Sequence, residues 1–153
     1  QIAKIKGTHF MKTLSKNNAD ILGEMVDLLI PANKNLPAPS KINVVEHIDD
    51  ALSNTPKMKR IFVEGLTDIN NKNFLSLPKI EQIALLTKYE STNGTFFSLL
   101  LRHTYNAYYT NPIVVAGIGM TGRPPQPLGY TLEKGNLTLL DKVIKKGQIW
   151  RNP

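Results

Sequence analysis

The sequence contains no cysteine. That absence removes disulfides, thiolate metal sites, a cysteine nucleophile and c-type haem attachment, and it leaves an oxidising and a reducing compartment equally open. No apolar run reaches the roughly 18 residues that a membrane-spanning helix needs, so the chain is expected to be soluble as given. Arginine is scarce (Arg60, Arg102, Arg123, Arg151), and the lysines are scattered apart from short clusters at Lys57, Lys59 and Lys142, Lys145, Lys146. The formal charge is +7, which raises nucleic acid and anionic surfaces as partners. Without convergence of the cations, a solvated basic surface comes first, docking on an acidic protein second and nucleic acid last. No signal peptide is visible at Gln1, so the chain is expected to be mature, trimmed or made without one.

Alternating strand patterns and internal repeats are also missing, whereas helical periodicity is plentiful. At 153 residues the chain suits one domain with one core. A basic arm is expected over 1–13, a helical core over 14–109, a Gly/Pro-rich strap over 110–135, and a C-terminal helix and tail over 136–153. Ser15 offers an N-cap to a helix whose Ile21, Leu22, Met25, Leu28 and Leu29 form one stripe, stopped by Pro31. Prolines 31, 37 and 39 make a rigid connector, and Ser40 is a candidate cap for the next helix, in which Val44, Val45, Ile48 and Leu52 face inward and Glu46, Asp49 and Asp50 face out. Thr55-Pro56 opens a third helix with Met58, Ile61, Phe62, Leu66 and Ile69. Pro78 opens a fourth, with Ile80, Ile83 and Ala84 to Leu86 in the core. The fifth, through Phe96, Phe97, Leu100, Leu101 and Tyr105, is dense enough in large apolar residues to be central. Asn136 caps a last helix on Leu137, Leu140, Val143 and Ile144, closed by Gly147. The expected fold is all-α, an irregular bundle of five to six helices.

The stretch from Tyr108 to Tyr130 breaks the pattern. It carries four of the ten prolines and several glycines, so it is read as non-helical and too long for an ordinary connection. Its Ile113, Val114, Val115, Ile118 and Met120 need a surface to bury against, and its prolines lower the entropy lost on ordering. It reads as a strap laid on its own helices or on another protein. Tyr108, Tyr109, Pro112, Pro124, Pro125, Pro127 and Tyr130 are the candidate partner-binding residues, since tyrosine combines a large contact area with a polar end.

Candidate chemistry is thin. Gly117, Gly119 and Gly122 spell G-x-G-x-x-G after IVVA, but RPPQP follows where a helix N-terminus would have to face a pyrophosphate. The glycines are better explained by turns with positive φ. His9, His47 and His103 are isolated, and Glu46, His47, Asp49 and Asp50 make a poor ligand set for zinc or iron. No G-x-S-x-G elbow or placed carboxylate pair is present. No catalytic, cofactor-binding or metal-ligating residue is assigned.

The order of features nevertheless resembles a known family. A first helix ending in LLIP, a proline-rich connector, VVEHIDDAL, and FFSLLLRHTYNAYYTNP followed by a Gly/Pro-rich stretch to GY are similar to the third, or gamma, subunit of membrane-bound gluconate 2-dehydrogenase, over about residues 14–130. The resemblance implies a helical, non-catalytic accessory subunit. It would bind, stabilise and assist export of a large flavin-dependent dehydrogenase of sugars or polyols, with FAD in that partner, a multihaem cytochrome c as a further partner, and a periplasmic location. Family members carry a twin-arginine export signal, and Gln1 to Met11 contains none. A free-standing helical domain that binds a sugar or another small ligand is the alternative reading of the same aromatics.

Overall fold

The computed structural model describes residues 11–120, 135–148 and 151. Contacts divide the chain into two compact units, Gln1–Gly122 and Arg123–Pro153. The division falls inside the stretch expected to be a strap. Among the described residues there is no strand; five long helices, α1 (Lys16–Leu29), α2 (Val44–Ser53), α3 (Pro56–Asn70), α4 (Lys79–Thr92) and α5 (Gly94–Tyr109), build the first unit, with short 3₁₀ turns at Pro39–Lys41 and Phe74–Ser76. The fold is all-α, as the periodicity requires.

Local chemistry sets the boundaries. Ser15 Oγ accepts the Asn18 N–H and starts α1. Ser40 does not cap α2 as expected. A 3₁₀ turn places it beside α1, where its N–H and hydroxyl donate to the Asp27 carboxylate at 2.8 and 2.6 Å. The residue before α2 is instead Asn43, in the left-handed region at φ 63°, which asparagine tolerates better than most residues. Asn93 ends α4 and accepts the Phe96 N–H at the start of α5, so one residue makes the turn between them.

The core gathers Ile21, Leu22, Met25 and Val26 of α1, Val44, Val45, Ile48 and Leu52 of α2, Met58, Phe62, Leu66 and Ile69 of α3, and Phe96 and Leu100 of α5. Helix α5 packs on α2, α3 and α4, while α2 and α3 each pack on α1, on α5 and on one another, so the centre that the sequence assigned to α5 is shared among the three. Where α3 meets α5, Gly65 lets the Phe96 ring lie against the α3 backbone, and Phe62 meets the same ring edge-on at 5.4 Å. Edge-to-face pairs of this kind add about 0.5–1.5 kcal/mol beyond the area they bury.

Two expectations fail here for identifiable reasons. Ile80 and Ile83 do not enter the core; they are 79% and 51% exposed, and the inward face of α4 is Gln82, Leu86 and Tyr89. Gln82 is admitted because its Nε2 donates to the Phe74 carbonyl at 3.0 Å, and Tyr89 because its hydroxyl donates to Asp68. Buried polar groups cost little once they are paired. Likewise Asp49 does not face out. It is 2% exposed, and its carboxylate accepts the backbone N–H groups of Lys12, Thr13 and Leu14 at 2.5, 3.1 and 2.8 Å. The last residues of the expected arm are therefore anchored; residues 1–10 lie outside the described residues.

In the second unit, Asn136 caps as expected, accepting the Thr138 N–H at 3.0 Å. A 3₁₀ turn (Leu137–Leu140) and α7 (Asp141–Ile144) follow, and Gly147 adopts φ 64°. Leu137, Leu140, Val143 and Ile144 are exposed.

Candidate partner-binding surface

The end of α5 is where the sequence placed its candidate residues, and there the chain does something the proline count concealed. Asn111 accepts the Ile113 N–H through its side chain, and Pro112 takes the first helical position, so α6 (Pro112–Gly117) forms inside the expected strap. Pro at that position sacrifices only an N–H that has no helical partner. The start of the strap is thus a short helix, which corrects the non-helical reading for these residues.

Helix α6 is seated on the domain itself. Val114 is fully buried. The Asn111 amide donates to the Ile42 carbonyl at 3.2 Å. A Cβ on Gly117 would stand 2.7 Å from Leu36 Cδ2 and 3.1 Å from the Asn35 carbonyl oxygen, so this glycine serves close approach to the proline connector. Gly119, at φ 80°, does supply the positive φ expected of it. Since IVVA belongs to a helix, Gly117 and Gly119 do not follow a strand, as a dinucleotide fingerprint requires; Gly122 lies outside the described residues.

Tyr108 must be removed from the candidates. It is wholly buried, its hydroxyl donating to the Pro37 carbonyl at 2.8 Å. Burial first, and then the neighbouring Tyr109, raises the pKa of its phenol. Tyr105, expected in the apolar row of the fifth helix, is the residue that faces out. Tyr105 and Tyr109 are 42% and 47% exposed and meet edge-on at 5.9 Å, as i, i+4 neighbours on one helix face do. Tyr109 also rests edge-on against Tyr108 at 5.2 Å, which holds its ring in place from below. Pro112, Ile113, Ile118 and Met120 are exposed on and after α6. Of the expected site residues, the structure brings Tyr109 and Pro112 to this corner. Pro124, Pro125, Pro127 and Tyr130 lie outside the described residues. Tyr105, Ile113 and Met120 were not among the candidates; the spacing of four between Tyr105 and Tyr109 was the available signal.

Elsewhere polar clusters serve packing. Lys72 Nζ sits 2.6 Å from both the Asp68 carboxylate and the Tyr89 hydroxyl, tying the end of α3 to α4. This pairing lowers the Asp68 pKa, through Lys72 first and Tyr89 second, and raises that of Lys72. His47 is exposed and His103 half-buried. Burial, then Arg102 and His47, depresses the His103 pKa. Among the described residues no three His, Asp or Glu side chains converge as a metal site. A groove of about 480 Å³ between α1 and α2 has Asp20, Glu24, Asp27 and Glu46 in its wall, but Asp27 is already engaged by Ser40.

A family model described as Gluconate 2-dehydrogenase subunit 3 matches residues 16–122, more than half of the chain and every element from α1 to α6. No curated protein and no solved structure matches.

Proposed function

Since the chain belongs to the gluconate 2-dehydrogenase subunit 3 family, we propose that it is a non-catalytic small subunit that binds and stabilises a flavin-dependent dehydrogenase of gluconate or a related sugar or polyol. The family match carries this reading, and the α5–α6 corner supports it. Tyr105, Tyr109, Pro112 and Ile113 form an aromatic and aliphatic surface on a rigid base, the composition that the centres of protein interfaces favour. FAD and the redox chemistry belong to the partner. A multihaem cytochrome c would be the electron acceptor and the membrane link of the complex, and the small subunit would accompany the folded flavoprotein to the periplasm. Nucleic acid has no part in it.

Co-expression with the flavin-dependent dehydrogenase subunit of the same organism tests this. The two chains should copurify in fixed ratio, with sugar-oxidising activity higher than that of the flavoprotein expressed alone. Failure to copurify, with the flavoprotein equally soluble and active by itself, would overturn the accessory role.

A further inference from the structure

The outer face of α5 continues from the tyrosine corner to a groove. Thr95, Ser98, Arg102, Tyr105 and Tyr109 follow one another at alternating steps of three and four residues, the spacing along which a second helix packs. All five are exposed. Beside the first three, residues of α3 and α5 border an open groove of about 440 Å³. Its floor is Met58, Ile61 and Leu99; Lys57 and Arg102 stand at its rim. Among the described residues no ion pair engages either cation.

We propose that this groove receives an amphipathic helical segment of the flavoprotein partner, an apolar side chain entering between Ile61 and Leu99 and a carboxylate reaching Lys57 and Arg102. The proposal rests on the accessory-subunit reading above and names the chemistry of the contact. Three observations choose the occupant. The floor is apolar, whereas a phosphate backbone requires cations along the track itself. The rim is cationic and unpaired, so the complementary surface is acidic; a second copy of this chain would bring the same two cations to a two-fold contact. The stripe also runs unbroken into Tyr105 and Tyr109, and one helix laid along it would touch groove and corner together over about 21 Å at 1.5 Å per residue.

The probe is the flavin-dependent dehydrogenase subunit of the same organism, with binding to the purified chain measured by titration at low and high salt. Ser98→Trp, which fills the groove, and Arg102→Glu, which reverses a rim charge, should each weaken binding about tenfold with an unchanged melting temperature, and the Arg102→Glu loss should shrink as salt screens it. A photo-crosslinking side chain at position 98 should attach to an acidic helical segment of the flavoprotein. If Ser98→Trp proves unstable, Arg102→Glu on the open surface still decides the matter. Wild-type affinity in both variants, with Tyr109→Ala weakened, would overturn the groove and leave the accessory role intact. No binding by the wild-type chain would overturn both. Crosslinking to a second copy of this chain, or recovery of a small amphipathic acid from the groove, would overturn the stated occupant.

Discussion

Tyr108 and Pro37 stand 71 positions apart in the chain, and the hydroxyl of the first donates to the carbonyl of the second at 2.8 Å. This bond closes α5 onto the proline connector and satisfies a polar group that burial would otherwise leave without a partner. Tyr108→Phe should cost about 1 kcal/mol, leaving the Pro37 carbonyl unsatisfied, and Tyr108→Ala about 3–5 kcal/mol through the added cavity. Urea denaturation of the two variants should show this order. Equal midpoints for wild type and Tyr108→Ala would show that the connector is held by other contacts.

At Gly65 a methyl group has no room, since its Cβ would lie 2.7 Å from the Phe96 ring. In an exposed helix Gly→Ala is stabilising, by about 1 kcal/mol. Here the sign should reverse, with Gly65→Ala costing about 1–3 kcal/mol as α3 and α5 are pushed apart. Adding Phe96→Leu to the Gly65→Ala background should then cost less than Phe96→Leu alone costs in wild type, a coupling that a double-mutant cycle in denaturant would measure.

Asp49 holds three backbone N–H groups of the segment before α1. Removing its carboxylate leaves those donors to find water or remain unpaired, so Asp49→Ala should destabilise by about 1–3 kcal/mol. The effect should be local as well as global. Amide hydrogen exchange at Lys12, Thr13 and Leu14 should accelerate more than exchange in α5, and uniform acceleration would mean that Asp49 supports the whole bundle.

His103 gives the fold a pH dependence of definite sign. Burial depresses its pKa below the ordinary 6.5, so in the interval between the folded value and 6.5 the unfolded chain binds more protons than the folded one. Stability is therefore fullest above that interval and is lost as pH falls through it. Thermal unfolding at about pH 7.5 and pH 5.5 should show a smaller drop for His103→Gln than for wild type. A drop of the same size would assign the pH dependence to other groups.

The helices with a clear apolar period could be read from the residues alone. In α1, α2 and α3 the expected stripes are largely the buried ones, because Ile, Val, Leu and Phe had no alternative to the core. Sequence reading failed where a polar residue entered the core by finding a distant partner. Gln82 looks like a surface residue until the Phe74 carbonyl is seen beside it, and Asp49 until the turn at Lys12 is placed over it. Their inward positions on α2 and α4 depend on segments that periodicity does not locate.

The candidate site was half legible for a related reason. Tyrosines and prolines near 108–112 marked the region, but composition could not tell Tyr105 from Tyr108, three residues apart on the same helix. The outcome was decided by Pro37, far away in the sequence, which offers a carbonyl to one of them. A six-residue helix between Pro112 and Gly117 is likewise too short for periodicity to reveal. It exists because Asn111 caps it and the connector receives it.

The seating of α6 on the connector has an engineering consequence. The tyrosine corner cannot be transplanted as a linear peptide, since its base is assembled from both ends of the first unit. Tyr109 rests on Tyr108, Tyr108 is tied to Pro37, Gly117 abuts Leu36, and the far side of the connector is fastened by Ser40 to Asp27. The smallest portable version joins residues 27–42 to 104–118 across a bridge of new design. Equally, lengthening the connector by even one residue between Pro31 and Pro37 would shift a surface some seventy positions downstream, without altering a single residue of that surface.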